Sequence, residues 1–189
     1  MMDGRNKIAI LCAAKKSVYK SIPDLDVYDQ ERDAYTFTGS SPVITHAPCA
    51  QWSRLRWRAK EDKREKELAH FCMEHVKKNG GVFEHPQGSV FFKTAGIRRH
   101  ELVLVNQFRF GFQCRKSTLL YFSHCRPIYL TNPDHFQLEI QQFPTKGVAD
   151  LDSRGKRSET TLQFAQWLIQ CVTPILTERR EFDEWDGWR

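Results

Sequence analysis

Lys7 to Ala13, KIAILCA, is a continuous apolar run rather than an alternating one. A short strand with that pattern is buried on both faces, which requires covering layers above and below it. That demand points to an α/β arrangement built on a parallel sheet. The following segments fit it. Lys15 to Ile22 reads as a short helix ended by Pro23. Leu25 to Asp29 and Pro42 to Thr45 read as further short strands. Glu61 to Asn79 places Leu68, Phe71, Cys72, His75 and Val76 on one helical stripe, closed by Gly80-Gly81. Gly81-Val82-Phe83 then opens another strand.

The second half changes pattern. Glu101 to Phe108 and Ser117 to Tyr121 are rich in β-formers and read as an antiparallel pair at one sheet edge. Residues 123–160 carry Pro127, Pro133, Pro144 and Gly147 among polar residues and read as loops with at most one strand. Thr160 to Ile175 is an amphipathic helix, with Ser158 or Thr160 as its N-cap. The expected fold is a Rossmann-like, open, mostly parallel sheet with an antiparallel edge. One domain spans residues 1–177, and a charged, tryptophan-rich tail spans 178–189. Ligands of such sheets bind at the carboxyl ends of the strands.

Composition narrows the setting. No run approaches the roughly 18 apolar residues of a membrane span. The opening Met1 to Lys7 leads into a buried strand and lacks the form of a signal peptide. Six scattered cysteines without a secretory signal are expected to be free thiols in a reducing cytoplasm. The net charge of +6 tilts the chain towards polyanionic partners.

Two segments carry the chemistry, His46-Ala47-Pro48-Cys49-Ala50-Gln51-Trp52-Ser53 and Gly80-Gly81-Val82-Phe83-Glu84-His85-Pro86. Each follows an apolar run, so each is placed at a strand end. Pro48 stiffens the backbone before Cys49, and Arg54, Arg56 and Arg58 supply positive charge that favours a thiolate nucleophile. The plain alternative for Cys49 is a packed core thiol. Glu84 is a carboxyl group able to serve a ring nitrogen if burial raises its pKa, the alternative being a loop ion pair. Gln113-Cys114-Arg115-Lys116 offers an arginine fork for a carbonyl or phosphate, or else a solvated hairpin edge. Trp52 to Lys66 interleaves seven basic residues with Trp52 and Trp57. Such a tract suits phosphates and unpaired bases, or is simply a solvated face. The spacings His46-x-x-Cys49 and Cys72-x-x-His75 also permit zinc, although Cys72 and His75 fall on the apolar helical stripe; no metal site is assigned.

Together these segments resemble the cytosine-C5 DNA methyltransferase family. Pro48, Cys49, Trp52 and Ser53 match its nucleophile motif of Pro-Cys with a serine four positions on. Glu84 and Gly88 match its Glu-Asn-Val motif, with His85 and Pro86 in place of the middle residues. Phe110-Gly111 and Gln113-Cys114-Arg115 approximate its Gln-x-Arg-x-Arg motif, with Ser117 for the last arginine. The Pro-Cys, Gly-Gly-Val-x-Glu-His-Pro and Arg-Lys-x-Thr segments are also similar to those of small phage-encoded proteins.

The resemblance implies that Cys49 attacks C6 of a pyrimidine taken out of its stack, while Glu84 holds the N3 and amino edge. Arg115, with Gln113, would support the base oxygen or the cysteine loop. Ser53, Arg54, Arg56, Trp57 and Arg58 would contact DNA or another nucleic acid. A free pyrimidine nucleotide is the alternative substrate, and a non-catalytic binding module the alternative role. The family's cofactor is S-adenosylmethionine, for which the matching positions are Cys12, Ala13 and Asp29. The family's Phe-x-Gly-x-Gly turn is replaced here by Ala13-Ala14-Lys15-Lys16, without glycine.

Overall fold

The computed structural model describes residues 7–128, 146–151 and 154–186. Six strands form one sheet: β1 (Ile8–Leu11), β2 (Leu25–Val27), β3 (Val43–Thr45), β4 (Gly81–Pro86), β5 (Leu102–Asn106) and β6 (Ser117–Ser123). Their order is β2-β1-β3-β4-β6-β5. β1, β2, β3 and β4 run parallel, whereas β6 is antiparallel to both β4 and β5. The chain is therefore an α/β, Rossmann-like open sheet with an antiparallel edge, as the hydrophobic pattern implied.

The alternation of side chains along each strand divides the core in two. Ala9, Leu11, Val43 and Phe83 face α1 (Lys63–Asn79), where they pack with Cys72, Met73 and Val76. Ile8, Ile10, Ile44, Val82 and Leu120 face the other layer. That layer is α4 (Leu162–Asp186), whose Phe164, Leu168, Cys171, Val172 and Ile175 recur at helical spacing. Each such large side chain, fully buried, contributes about 1.5–3 kcal/mol.

The end of α1 sets the spacing of the central strands. Asp62 caps its start by accepting the Glu65 N–H at 3.1 Å, and Gly80 ends it at φ 78°. Gly81 follows at φ 129°, so close to β3 that a Cβ there would lie 1.9 Å from the Val43 carbonyl oxygen. Only glycine permits that approach.

Several boundaries differ from the sequence reading. The helix expected over Lys15–Ile22 is only a 3-10 turn, Val18–Ser21. β4 continues to Pro86, because β6 pairs with it through Pro86↔Thr118 after its pairing with β3 has ended at Phe83↔Thr45. Two short helices, α2 (Phe91–Thr94) and α3 (Arg154–Ser158), were not anticipated. Thr161 rather than Ser158 or Thr160 caps α4, accepting the Phe164 N–H at 3.3 Å. The helix then runs to Asp186, so most of the expected tail continues it. The central part of the expected loop region, residues 129–145, lies outside the described residues. Among those described, no helix is long and apolar enough to cross a membrane.

Candidate active site

The carboxyl ends of β1 and β3 meet where the chain's crossovers change direction, and His46 leaves β3 at that point. Its N–H donates to the Leu11 carbonyl at 3.1 Å, which keeps it against β1. Glu84 stands one residue past the last β3–β4 pair and shares the α4-side face of β4 with Val82. The imidazole spans the gap. Nδ1 of His46 lies 3.1 Å from Glu84 Oε2, and Nε2 lies 3.0 Å from the Tyr19 hydroxyl. Thr118 Oγ1 donates to Glu84 Oε1, and Gln107 Nε2 reaches the same oxygen at 3.4 Å. The side chains of His46 and Glu84 are 15% and 13% exposed, so both are largely withdrawn from solvent.

The condition set for Glu84 as a proton donor, a pKa raised by burial, is not met. Burial does push it up, but the His46 hydrogen bond and charge, the charge of Lys116 and the Thr118 hydroxyl together bring it to about 2. Glu84 is a held carboxylate, an acceptor rather than a proton donor. Burial, reinforced by the charge of Glu84, pushes the Tyr19 hydroxyl well above its usual pKa. Tyr19 therefore keeps its proton, and with Glu84 ionised the His46 Nδ1–H donates to its carboxylate.

Cys49 sits at the head of a tight turn. Its carbonyl accepts the Trp52 and Ser53 N–H groups at 3.0 and 2.8 Å. Neighbouring contacts bind this loop to β4 and its successor. His85 Nε2 donates to the Ala47 carbonyl at 3.2 Å, Ser89 Oγ donates to His85 Nδ1 at 2.8 Å, and the Val90 N–H donates to the Trp52 carbonyl at 2.9 Å. Burial lowers the His85 pKa to about 4, so the ring is neutral and can serve both roles.

Lys116, just before β6, is partly buried. Its ammonium donates to the Glu159 carbonyl at 2.6 Å. Burial lowers its pKa, while the charges of Glu84 and Cys49 act against that shift. Cys49, Glu84 and Lys116 thus share one electrostatic neighbourhood. Gln113 and Arg115, named from the sequence, are exposed, whereas Phe112 and Cys114 between and before them are buried. The Arg115 backbone pairs outward, its N–H to the Lys146 carbonyl at 3.1 Å.

The positions matched to a cofactor lie at the ends of β1 and β2. Cys12 adopts φ 62° and Ala13 is buried, its N–H bonded to the Tyr28 carbonyl at 2.9 Å. Asp29 Oδ1 accepts the Glu31 and Arg32 N–H groups at 2.8 and 3.0 Å, and the Lys20 ammonium pairs with Oδ2. The Lys20 hydrogen bond first, with those backbone donors, holds the Asp29 pKa at about 2. These residues do not fit S-adenosylmethionine. The acid that would take its ribose hydroxyls is satisfied within the chain, and the turn after Cys12 has side chains and no glycine to let a backbone approach the ligand.

The sequence-named cationic residues form the rim. Ser53 is half-buried and its Oγ accepts the Leu55 N–H at 3.3 Å, while Arg54, Arg56, Trp57 and Arg58 are exposed. The Arg54 side chain lies across Gly88, where a Cβ would meet its Cγ at 2.2 Å. The two zinc-like spacings are used otherwise: His46 bridges Tyr19 and Glu84, and Cys72 Sγ lies 3.6 Å from Cys12 Sγ. Among the described residues no three His, Cys, Asp or Glu side chains are grouped to hold a metal.

Sequence reasoning missed Tyr19, Gln107, Lys116 and Thr118. Lys116 and Thr118 stood beside a matched motif, and Gln107 is a polar residue 1% exposed at the end of β5. No family model, no curated protein and no solved structure matches the chain.

Proposed function

We propose that this site binds an unpaired cytosine and that Cys49 adds reversibly to C6 of the ring. The observation that carries the reading is geometric: His46, bonded to Glu84, opens the loop whose turn presents Cys49 at the carboxyl edge of the sheet. The Lys116 ammonium favours the thiolate. The Cys49 sulfur forms a bond to C6, and the C5–C6 electron pair moves to C5. C5 takes a proton from water; loss of a C5 proton then expels the sulfur and restores the ring.

A held carboxylate selects the base. Glu84 accepts from the 4-amino group of cytosine and repels the 4-carbonyl of uracil or thymine. Thr118 and Gln107 use Oε1, and His46 uses one lone pair of Oε2, leaving Oε2 with capacity for the base. Methyl transfer is what the family resemblance implies, but the residues at Cys12 and Asp29 do not accommodate its donor. The proposal accordingly ends at thiol addition and proton exchange.

The test needs no donor. Oligodeoxycytidine incubated with the protein in D2O should acquire deuterium at C5, and Cys49→Ala should abolish the exchange. An oligonucleotide carrying 5-fluorocytosine, more electrophilic at C6, should raise the population of a reversible Cys49 adduct, seen as a mass shift under native ionisation. Exchange on deoxycytidine monophosphate as fast as on the oligonucleotide would assign the activity to free nucleotides. Absence of both exchange and adduct, with binding intact, would leave a non-catalytic binding module.

A further inference from the structure

The rim beside Cys49 combines three features that a solvated charge run does not need. Trp57 is 71% exposed, the largest exposure among the exposed large apolar side chains, and Leu55 beside it is 52% exposed. The Arg58 guanidinium lies over the Trp57 ring at 4.6 Å from its centre. Ser53 to Lys60 holds Arg54, Arg56, Arg58 and Lys60 without an acid. Among the described residues no carboxylate pairs with any of the three arginines. The nearby cations Arg64 and Lys66, by contrast, are neutralised by Asp33 and Glu61.

The turn at Cys49 and the contact of Arg54 with Gly88 hold this segment to the edge that carries the thiol. We infer that Arg54 to Arg58 is a binding surface for single-stranded nucleic acid, with Trp57 as the stacking platform for a base next to the one at Cys49. An indole presents a flat face that only an unstacked base can cover, and arginines beside it supply phosphate contacts. The segment is a single 3-10 turn, Arg56–Arg58, with no long helix or strand pair to enter a duplex groove. The inference deepens the cytosine reading and rests on it for the position of the reacting base.

Binding of fluorescently labelled oligodeoxycytidine to the full chain, measured by anisotropy, tests it. The single strand should bind more tightly than the same sequence in a duplex. Trp57→Ala should weaken single-strand binding about 10-fold or more, and Trp57→Phe should retain most of it. Arg56→Ala should lower the salt dependence. Exchange on deoxycytidine monophosphate should survive in Trp57→Ala. Equal affinity for duplex and single strand, no effect of Trp57→Ala, or equal displacement by heparin would overturn the inference. Failure of C5 exchange with these binding results intact would remove the cysteine chemistry and leave the stacking surface.

Discussion

His85 donates through Nε2 to the Ala47 carbonyl at 3.2 Å, and so a strand residue holds the loop that presents Cys49. The ring is buried among Phe83, Phe91 and Phe92, which leaves it no freedom to turn away. His85→Phe keeps the packing and removes both hydrogen bonds. It should cost about 1–3 kcal/mol and leave the Ala47 carbonyl without its donor. Alkylation of Cys49 by iodoacetamide should quicken as the loop loosens; an unchanged rate in a folded variant would show that the hydrogen bond does not set the loop.

The same histidine makes the fold acid-sensitive. Its pKa is about 4 in the native state against about 6.5 when unfolded, so the unfolded chain binds the extra proton between those values. Stability should be fully present above pH about 6.5 and fall by on the order of 3 kcal/mol as the pH drops to about 4. Glu84, with its pKa lowered to about 2, adds a second loss below about pH 4.5. Urea denaturation at a series of pH values measures both, and His85→Phe should flatten the first.

Thr118 has one hydroxyl proton for two acceptors, Glu84 Oε1 and the His85 carbonyl at 2.9 Å. The ionised carboxylate is the stronger acceptor. Thr118→Val, nearly the same shape, should destabilise by about 1.5–3 kcal/mol and raise the Glu84 pKa. Carbon-13 NMR titration of the Glu84 carboxyl reads the shift directly, and a carboxyl that still titrates near 2 would show that His46 and Lys116 suffice.

Cys12 and Cys72 should form a disulfide when the protein meets a low-molecular-weight disulfide such as oxidised glutathione. Their sulfurs are 3.6 Å apart, and Cys12 is the partly exposed member. Cys12 would displace one glutathione thiol, and Cys72 would then displace the second. The hydrogen bond to Cys12, and then burial, push the Cys72 pKa well up, so closure should be slow at neutral pH and faster in alkali. Peptide mapping should find a linked 12–72 peptide, and Cys72→Ser should instead retain glutathione on Cys12. A folded protein that shows neither product has an inaccessible Cys12.

Gly81→Ala offers a sharper test of the sheet. A methyl group 1.9 Å from the Val43 carbonyl cannot be housed without separating β3 from β4, and φ 129° disfavours any side chain. Loss of the cooperative unfolding transition is expected, since β3 and β4 carry His46 and Glu84. A variant with native stability would mean that the strands can shift apart freely.

What was legible in the sequence was local. KIAILCA and the stripe from Leu68 to Val76 identify their own elements, because burial on both faces and helical spacing leave a direct imprint. The convergence of Cys49 and Glu84 on one edge followed from the apolar runs before them. The state of Glu84 was left open in the sequence, because it depends on His46 after β3 and on Lys116 and Thr118 at the start of β6. The Asp29 carboxylate was assigned outward from its place after β2, yet the Glu31 and Arg32 N–H groups and Lys20 fold around it. At Gln113 to Lys116 the motif drew attention to Arg115, one residue away from the cation that acts on Glu84. A shift of one residue reverses facing in extended chain, and only the pairing with β5 and β4 fixes that parity.

The reversed direction of β6 has a consequence for how such a site can diversify. The parallel strands deliver His46, Cys49 and Glu84 as the chain leaves the sheet, whereas Lys116 and Thr118 arrive as it enters. Cys49 and Glu84 are thereby held on connections separate from the 107–116 link that supplies Gln107 and Lys116. That link can lengthen or exchange residues while the strands and the Cys49 turn keep their register, so the groups around Glu84 can change without dismantling the edge that holds Cys49 and Glu84.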